Sequence, residues 1–159
     1  MKKFLTIISC TLLVALLALT FSGCSKDGDI KTAFKNAGYE VTSVKSEDCK
    51  ELSDLVGTYV TNLNKQNTDD DSKKKEVKKE DVINKFKIYT VSFENRKGAF
   101  IKCPSEKALE LALGETNFKS KTDSGYINGN CYFITTCTIG GTSFYKSANT
   151  DALYIFKNA

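Results

Sequence analysis

Residues 86–103 read FKIYTVSFENRKGAFIKC, and this stretch decides the fold class. It holds two runs rich in aromatic and β-branched residues, at 86–94 and 99–103, separated by the turn-forming sequence Asn-Arg-Lys-Gly at 95–98. Two such runs around a short turn predict an antiparallel β-hairpin. Because an isolated hairpin is marginal in water, the segments on either side must complete a sheet and cover it.

Upstream of the hairpin, the apolar spacing predicts a helix and a strand. Residues 30–37 place apolar side chains at the spacing of one helix face, and Gly38 follows where a helix ends. The alternating, β-branched run at 39–44 predicts a strand. We therefore expect a helix that leads directly into the sheet.

A longer apolar stripe over residues 50–63 predicts a second helix. Asp48 and Glu51 have the spacing of a capping box at its start. Leu55 and Tyr59 lie on the apolar stripe, so we expect both to be buried against the sheet.

Residues 66–82 differ from the rest of the chain because they carry blocks of aspartate and lysine with few apolar side chains. Such blocks bury little surface, which predicts a solvated, charged loop. The segment lacks the spaced aspartates and central glycine of an EF-hand, so a calcium loop is not expected.

Downstream of the hairpin, Ser105 is expected to cap a helix that runs to residue 113 and stops at Gly114. Asn128-Gly129 then predicts a tight hairpin between strands at 118–127 and 130–139. Gly140-Gly141 predicts a further turn.

A short strand at 142–146 and a final helix capped by Thr150-Asp151 complete the order of elements. Because hairpins dominate, we predict an α+β fold. Its sheet is mainly antiparallel, with about five to six strands and with helices packed on one face. A single domain is expected over residues 30–159.

The amino terminus has a different character. Lys2 and Lys3 precede an apolar run over residues 4–21, which ends in Phe21-Ser22-Gly23-Cys24. A basic start, a short apolar core and small residues before a cleavage site are typical of an export signal. A plain amino-terminal membrane anchor and a secretory signal cut at another site are the alternatives.

Residues 1–24 resemble a bacterial lipoprotein signal peptide. The resemblance implies removal of residues 1–23 and acylation of Cys24, which would anchor an exported domain to the membrane by lipid. A diacylglyceryl group supplies two chains, the number that stable anchoring requires. Residues 24–29 are then expected to form a polar tether, and Cys10 is expected to be lost with the signal.

Composition excludes several chemistries. The chain contains no histidine, which excludes Ser-His-Asp and Cys-His nucleophiles and histidine metal sites. Beyond residue 23 the chain carries 21 basic and 19 acidic side chains, a formal charge of +2 that indicates no nucleic-acid partner. We expect no cofactor.

Four cysteines remain beyond Cys24: Cys49, Cys103, Cys131 and Cys137. No pair has the spacing of a zinc knuckle or a thioredoxin-like site, so no metal is expected. An even number in an exported domain favours disulfides, and buried free thiols are the alternative.

The predicted strand 130–139 limits how these cysteines can pair. Cys131 and Cys137 would lie about 20 Å apart along it, beyond the reach of a disulfide. Two pairings remain open: Cys49–Cys131 with Cys103–Cys137, or Cys49–Cys137 with Cys103–Cys131.

The first functional hypothesis is a non-catalytic cell-envelope lipoprotein, a binding module for a protein, wall component or small ligand through its sheet surface. The alternative is a histidine-free extracytoplasmic enzyme that uses carboxylate or lysine chemistry. Glu94, Glu106 and Glu110 are candidate carboxylates, but surface solvation explains them, and Ser105 is expected to cap. The Tyr132 face of strand 130–139 is expected to be a second packing layer, with a ligand surface as the alternative.

Overall fold

The stretch 86–103 forms the central hairpin in a computed structural model, which describes residues 26–68 and 76–159. Strand β2 (Lys87–Phe93) pairs antiparallel with strand β3 (Arg96–Lys102), and Phe93 lies opposite Arg96. The connecting turn is therefore Glu94-Asn95, with Glu94 at φ +52°, and not the predicted turn at 95–98. Lys97 and Gly98 instead lie within β3.

Within the described ranges, the chain forms six α-helices, seven β-strands and two short 3₁₀ segments. The remaining strands are β1 (Glu40–Val44), β4 (Ile127–Asn128), β5 (Cys131–Phe133), β6 (Cys137–Ile139) and β7 (Thr142–Tyr145). The helices are α1 (Lys26–Asn36), α2 (Lys50–Thr68), α3 (Lys79–Val82), α4 (Glu106–Leu113), α5 (Glu115–Asp123) and α6 (Thr150–Asn158), and the 3₁₀ segments are Ser46–Asp48 and Ile83–Lys85.

The strands form two sheets. The main sheet has the order β1-β2-β3-β5-β4, and each neighbouring pair is antiparallel. The second sheet is the hairpin β6–β7, which turns through Gly140 and Gly141, both at positive φ. The prediction of an α+β fold with a mainly antiparallel sheet is confirmed.

Helices cover both faces of the main sheet, so the expectation of helices on one face is corrected. Ile88 and Tyr89 are adjacent in β2 and point to opposite faces, yet both are buried. The same holds for Phe100 and Ile101 in β3. Apolar side chains on both faces of the central strands need a packing layer on each side.

Each face has its own hydrophobic core. The aliphatic core lies under α2 and α4, and it includes Leu52, Leu55, Val56, Ile88, Ala99, Ile101, Leu109, Ala112 and Ile134. The aromatic core lies under α1 and α6, and it includes Ile30, Phe34, Tyr89, Phe100, Phe133, Ala152 and Phe156.

The strands predicted at 118–127, 130–139 and 142–146 are only partly formed. Residues 118–127, predicted as a strand, form most of helix α5 and the first residue of the two-residue strand β4. Residues 119–123 are all polar and lack the alternation that a buried strand requires, so only Ile127 and Asn128 pair with β5. Gly114 and Gly125, both at positive φ, flank the helix.

The predicted strand 130–139 is broken into β5 and β6. The chain leaves the main sheet at residues 134–136, where Ile134 N donates to Ala99 O at 3.1 Å and Tyr145 Oη donates to Ile134 O at 2.8 Å. As a result, Cys131 is buried in the aromatic core and Cys137 in the aliphatic core. Half-buried Tyr132 packs against the aliphatic core, which confirms the second packing layer.

Of the three helix caps predicted from the sequence, one is formed. The Ser105 side chain accepts from Ala108 N at 3.1 Å and caps α4, as predicted. Asn149 caps α6 in place of Thr150-Asp151. The Asp48–Glu51 capping box is wrong, because α2 begins at Lys50 and the Glu51 carboxylate bonds to Thr138 instead.

Part of the segment 66–82, which the sequence predicts to be a charged loop, lies within the described residues. Residues 66–68 end helix α2, and residues 69–75 lie outside the described part. Asn64 makes two side-chain hydrogen bonds to the backbone of Val77, at 2.9 and 3.0 Å. Val82 is buried in the aliphatic core, so the end of this segment is packed.

The prediction of a polar tether over 24–29 is wrong for residues 26–29, because α1 begins at Lys26. Asp27 is 5% exposed and forms ion pairs within the domain, so residues 26–29 belong to the fold. Residues 1–25, which include Cys10 and Cys24, lie outside the described part. Among the described helices, none combines the length and hydrophobicity that a bilayer crossing requires.

Candidate functional site

Two cysteines and a glutamate meet beside the aliphatic core. One ligand atom from each of Cys49, Glu51 and Cys137 lies within 4.8 Å of the others, and we call these residues the thiol–carboxylate cluster. Both cysteines are fully buried, and Glu51 is half-buried. Cys49 Sγ lies 3.6 Å from Glu51 Oε2, at hydrogen-bond distance for a thiol donor.

Backbone pairing holds this cluster together. Cys49 precedes α2, and its carbonyl accepts from Ser53 N at 3.0 Å. The same residue forms an isolated antiparallel bridge with Ile139, and Gly140 N donates to Asp48 O at 2.9 Å. The start of α2 and the strand β6 are therefore fixed against each other by main-chain contacts.

Thr138 orients the Glu51 carboxylate. Its backbone N–H donates to Oε2 at 2.8 Å, and its hydroxyl donates to Oε1 at 2.9 Å. Because both oxygens are held by one residue of β6, the carboxylate is fixed beside the two sulfur atoms.

The two thiols differ in acidity. A hydrogen bond with Cys137 lowers the pKa of Cys49, although burial opposes the effect. The same hydrogen bond, with burial second, raises the pKa of Cys137. Burial also raises the pKa of the neighbouring Tyr145 phenol, whose proton is donated to a backbone carbonyl. The hydrogen bond between the two thiols is thus the first cause of both shifts in pKa.

The other two cysteines do not belong to this cluster. Cys103 is buried in the aliphatic core, whereas Cys131 is buried in the aromatic core on the opposite face of the sheet. Burial raises the pKa of Cys131 to about 12 and also raises that of Cys103. All four described cysteines are free thiols. The second of the two open pairings includes Cys49–Cys137, and the sulfur atoms of these two residues lie within 4.8 Å of each other without a bond between them.

A second polar cluster lies at the start of α1, beside the aromatic core. Asp27 Oδ1 lies 2.9 Å from Lys102 Nζ, and Asp27 Oδ2 lies 3.0 Å from Lys31 Nζ. Tyr89 Oη donates to the same Oδ2 at 3.1 Å. The hydrogen bond to Asp27 is the main cause that raises the pKa of Lys31. We call these four residues the Asp27 cluster.

A shallow cleft of about 490 Å³ lies at one edge of the main sheet. It follows the end of β1 and the next turn, and it is lined by residues that include Ser43, Lys45, Glu47, Asn84 and Lys87. Strand β1 is an edge strand, since it pairs only with β2 in the main sheet. Thr42 and Ser43 on this strand are exposed.

The candidate catalytic residues are not brought together. Glu94 is exposed in the turn that joins β2 to β3, whereas Glu106 and Glu110 lie on α4, beyond the other end of β3. Glu110 pairs with Lys107 at 2.9 Å on the surface. These positions are those of solvated surface carboxylates, as the sequence indicated.

Sequence reasoning missed both polar clusters. Only the Asp27–Lys31 pair carries a local signal, the i, i+4 spacing of opposite charges on a helix. Cys49 and Cys137 lie 88 positions apart in sequence, and no motif links them.

No protein-family model matches the chain, and neither a curated protein nor a solved structure is significantly similar to it.

Proposed function

We propose that this protein is a non-catalytic lipoprotein of the cell envelope, which binds an extended segment of another envelope protein along the edge strand β1. The observation that carries the binding mode is the position of β1 at the open edge of the main sheet, beside the cleft. The lipid anchor rests on Phe21-Ser22-Gly23-Cys24 and on the basic, apolar segment before it.

The short link between anchor and domain supports a role at the membrane surface. Only Ser25 separates Cys24 from the first residue of α1. Two residues reach about 7 Å, so a lipid on Cys24 would hold the start of α1 against the bilayer. Lys26 Nζ donates to Ala159 O at 3.2 Å, which places the carboxyl terminus at this same end of the domain.

The edge strand is the surface best suited to a polypeptide partner. Helices cover both faces of the main sheet, so the sheet surface first expected to bind is not open. An edge strand keeps backbone donors and acceptors that an added strand can pair with, and the adjacent cleft can take side chains of that strand.

The alternative of a histidine-free enzyme has less support. Burial alone would lower a lysine pKa, but the pKa of Lys31 is raised by its hydrogen bond to Asp27. Asp27 is the buried carboxylate of the described part, and two lysines and a tyrosine already bind it. These groups form an internal ion pair and present no acid or base to a substrate.

The anchor is tested by metabolic labelling with a radioactive fatty acid. Wild-type protein should incorporate label and run as the shorter, processed form, whereas Cys24→Ala should stay unprocessed and unlabelled. Cys10→Ala is the matched control and should behave as wild type. Normal labelling of Cys24→Ala would contradict the lipoprotein proposal.

The binding mode is tested by photo-crosslinking in intact envelopes. A photoreactive residue at exposed Ser43 should give a defined protein adduct, whereas one at exposed Ser120 on α5 should not. Thr42→Lys places a charge on the edge strand and should lower the Ser43 adduct about tenfold, while Thr61→Lys on α2 should leave it unchanged. Equal adducts from Ser43 and Ser120, or no effect of Thr42→Lys, would contradict binding at β1.

A further inference from the structure

We propose that the thiol–carboxylate cluster is a binding site for a thiophilic divalent cation of the Zn²⁺ type. Cys49 and Cys137 would supply two thiolate ligands and Glu51 one carboxylate oxygen, with water in the fourth position. Zinc binds sulfur at about 2.3 Å and carboxylate oxygen at about 2.1 Å, so ligand atoms in a tetrahedral site lie roughly 3.5–3.8 Å apart. The three ligand atoms of the cluster, all within 4.8 Å of one another, need only a small contraction.

The ligands are held by the fold. The Cys49–Ile139 bridge and the Gly140-to-Asp48 hydrogen bond join the segments that carry the two sulfur atoms. A preorganised pair of ligands loses little further freedom when the ion binds.

Thr138 holds the proposed carboxylate ligand in position. Its two hydrogen bonds to the Glu51 carboxylate, at 2.8 and 2.9 Å, fix this group beside Cys49 and Cys137. Hydrogen-bond partners of this kind orient the ligands in known metal sites.

The charges balance without redox chemistry. Each thiol releases its proton to solvent as its sulfur binds the ion, so two protons leave and two metal–sulfur bonds form. The carboxylate adds one negative charge, which leaves the occupied site at −1 beside the first turn of α2. The amino terminus of a helix favours a net negative charge.

A disulfide between Cys49 and Cys137 would use the same two sulfur atoms. It would explain their contact, but it would leave the oriented carboxylate without a role. The cation accounts for all three groups, and the absence of histidine from the chain makes thiolate and carboxylate the available strong ligands.

The test titrates Cd²⁺ into the reduced, metal-free full chain in detergent. Cys10→Ala and Cys24→Ala are included, so that only the four cysteines of the domain contribute. We expect one equivalent of Cd²⁺ to give the ultraviolet thiolate-to-cadmium absorption band. Cys49→Ala and Cys137→Ala should each lose at least half of the band, whereas Cys103→Ala and Cys131→Ala should keep it.

Two milder variants keep the proposal testable if a cysteine variant fails to fold. In Glu51→Gln the amide oxygen can still accept from Thr138 N and the amide NH₂ can donate to the Thr138 hydroxyl, so the side chain can stay in place without its charge. This variant should weaken Cd²⁺ binding by about tenfold or more. Thr138→Val should weaken binding by about tenfold, while Thr138→Ser should not.

Two results would contradict the proposed cation site. One is a reduced protein that gives no cadmium band while the oxidised protein yields a Cys49–Cys137 linked peptide. The other is a cadmium band whose affinity is unchanged in both Glu51→Gln and Thr138→Val.

Discussion

The two faces of the main sheet differ in their balance of aromatic and aliphatic side chains. The aromatic core stacks rings: Phe100 lies 6.2 Å from Phe34, 5.1 Å from Tyr89 and 5.8 Å from Phe156, between ring centroids. The aliphatic core packs leucine, isoleucine and valine from α2, α4 and the sheet, together with three of the four described cysteines.

The two cores also differ in the segments that cover them. The aromatic core joins the first and last described helices, α1 and α6, and carries the Asp27 cluster beside it. The aliphatic core is closed by the β6–β7 hairpin, which the thiol–carboxylate cluster fastens to α2. On one face the Asp27 cluster thus joins α1 to β2 and β3, and on the other the candidate metal site joins the β6–β7 hairpin to α2.

The largest effect is expected from Phe100→Ala in the aromatic core. Phe100 is fully buried among three rings, so truncation leaves a cavity and should lower the free energy of unfolding by about 3–5 kcal/mol. Thermal and denaturant unfolding would measure the loss, with Phe100→Leu as a milder control. A loss below about 1 kcal/mol would mean that the aromatic core repacks freely.

Leu55→Ala makes the corresponding change in the aliphatic core. Leu55 is 8% exposed on α2, so the expected loss is about 2–4 kcal/mol. If the two faces form one cooperative unit, Leu55→Ala and Phe100→Ala should each shift a single unfolding transition. A separate early transition in either variant would show that the faces unfold independently.

Asp27→Asn tests the ion cluster beside the aromatic core. The change leaves Lys31 and Lys102 without their buried counter-charge. We therefore expect the free energy of unfolding to fall by about 1–3 kcal/mol. Asp54→Asn is a matched control, because Asp54 pairs with Lys50 at the same i, i+4 spacing but is exposed. Because exposed ion pairs contribute little to stability, the control should leave the melting temperature nearly unchanged. Equal effects would show that burial of Asp27 adds nothing.

The smallest expected effect is a dependence of stability on alkaline pH. The hydrogen bond to Asp27 raises the pKa of Lys31 above its usual 10.5 in the folded state. Because the pKa of Lys31 is higher in the folded state than in the unfolded state, its ion pair contributes fully to stability below pH 10.5. This contribution is lost as the pH rises through the folded-state pKa. The difference in melting temperature between wild type and Lys31→Met should therefore shrink above pH 10.5. A constant difference would contradict the ion pair.

Local signals predicted most of the elements correctly. The apolar spacing of Ile30 and Phe34 corresponds to α1, the long stripe that contains Leu55 corresponds to α2, and Ser105 caps α4. These features depend on residues within one or two helical turns, so the sequence contains the information directly.

Two of the errors arose where distant contacts outweigh local preference. The run 130–139 alternates like one strand, yet the Ile134 carbonyl accepts from Tyr145 Oη, and the chain leaves the main sheet after Ile134. Glu51 has the spacing of a capping residue, yet the donors of Thr138 bind its carboxylate instead. Neither partner can be identified from sequence spacing.

The sequence by itself determined the α+β class, the central hairpin and the helices on either side, because periodicity and turn residues act over short distances. Only the tertiary structure decided that helices cover both faces, that Cys131 and Cys137 lie in different cores, and that Cys49 meets Cys137 and Glu51. Such contacts join residues far apart along the chain. They form because burying apolar surface on both sides of the sheet brings them together, whatever their separation in sequence.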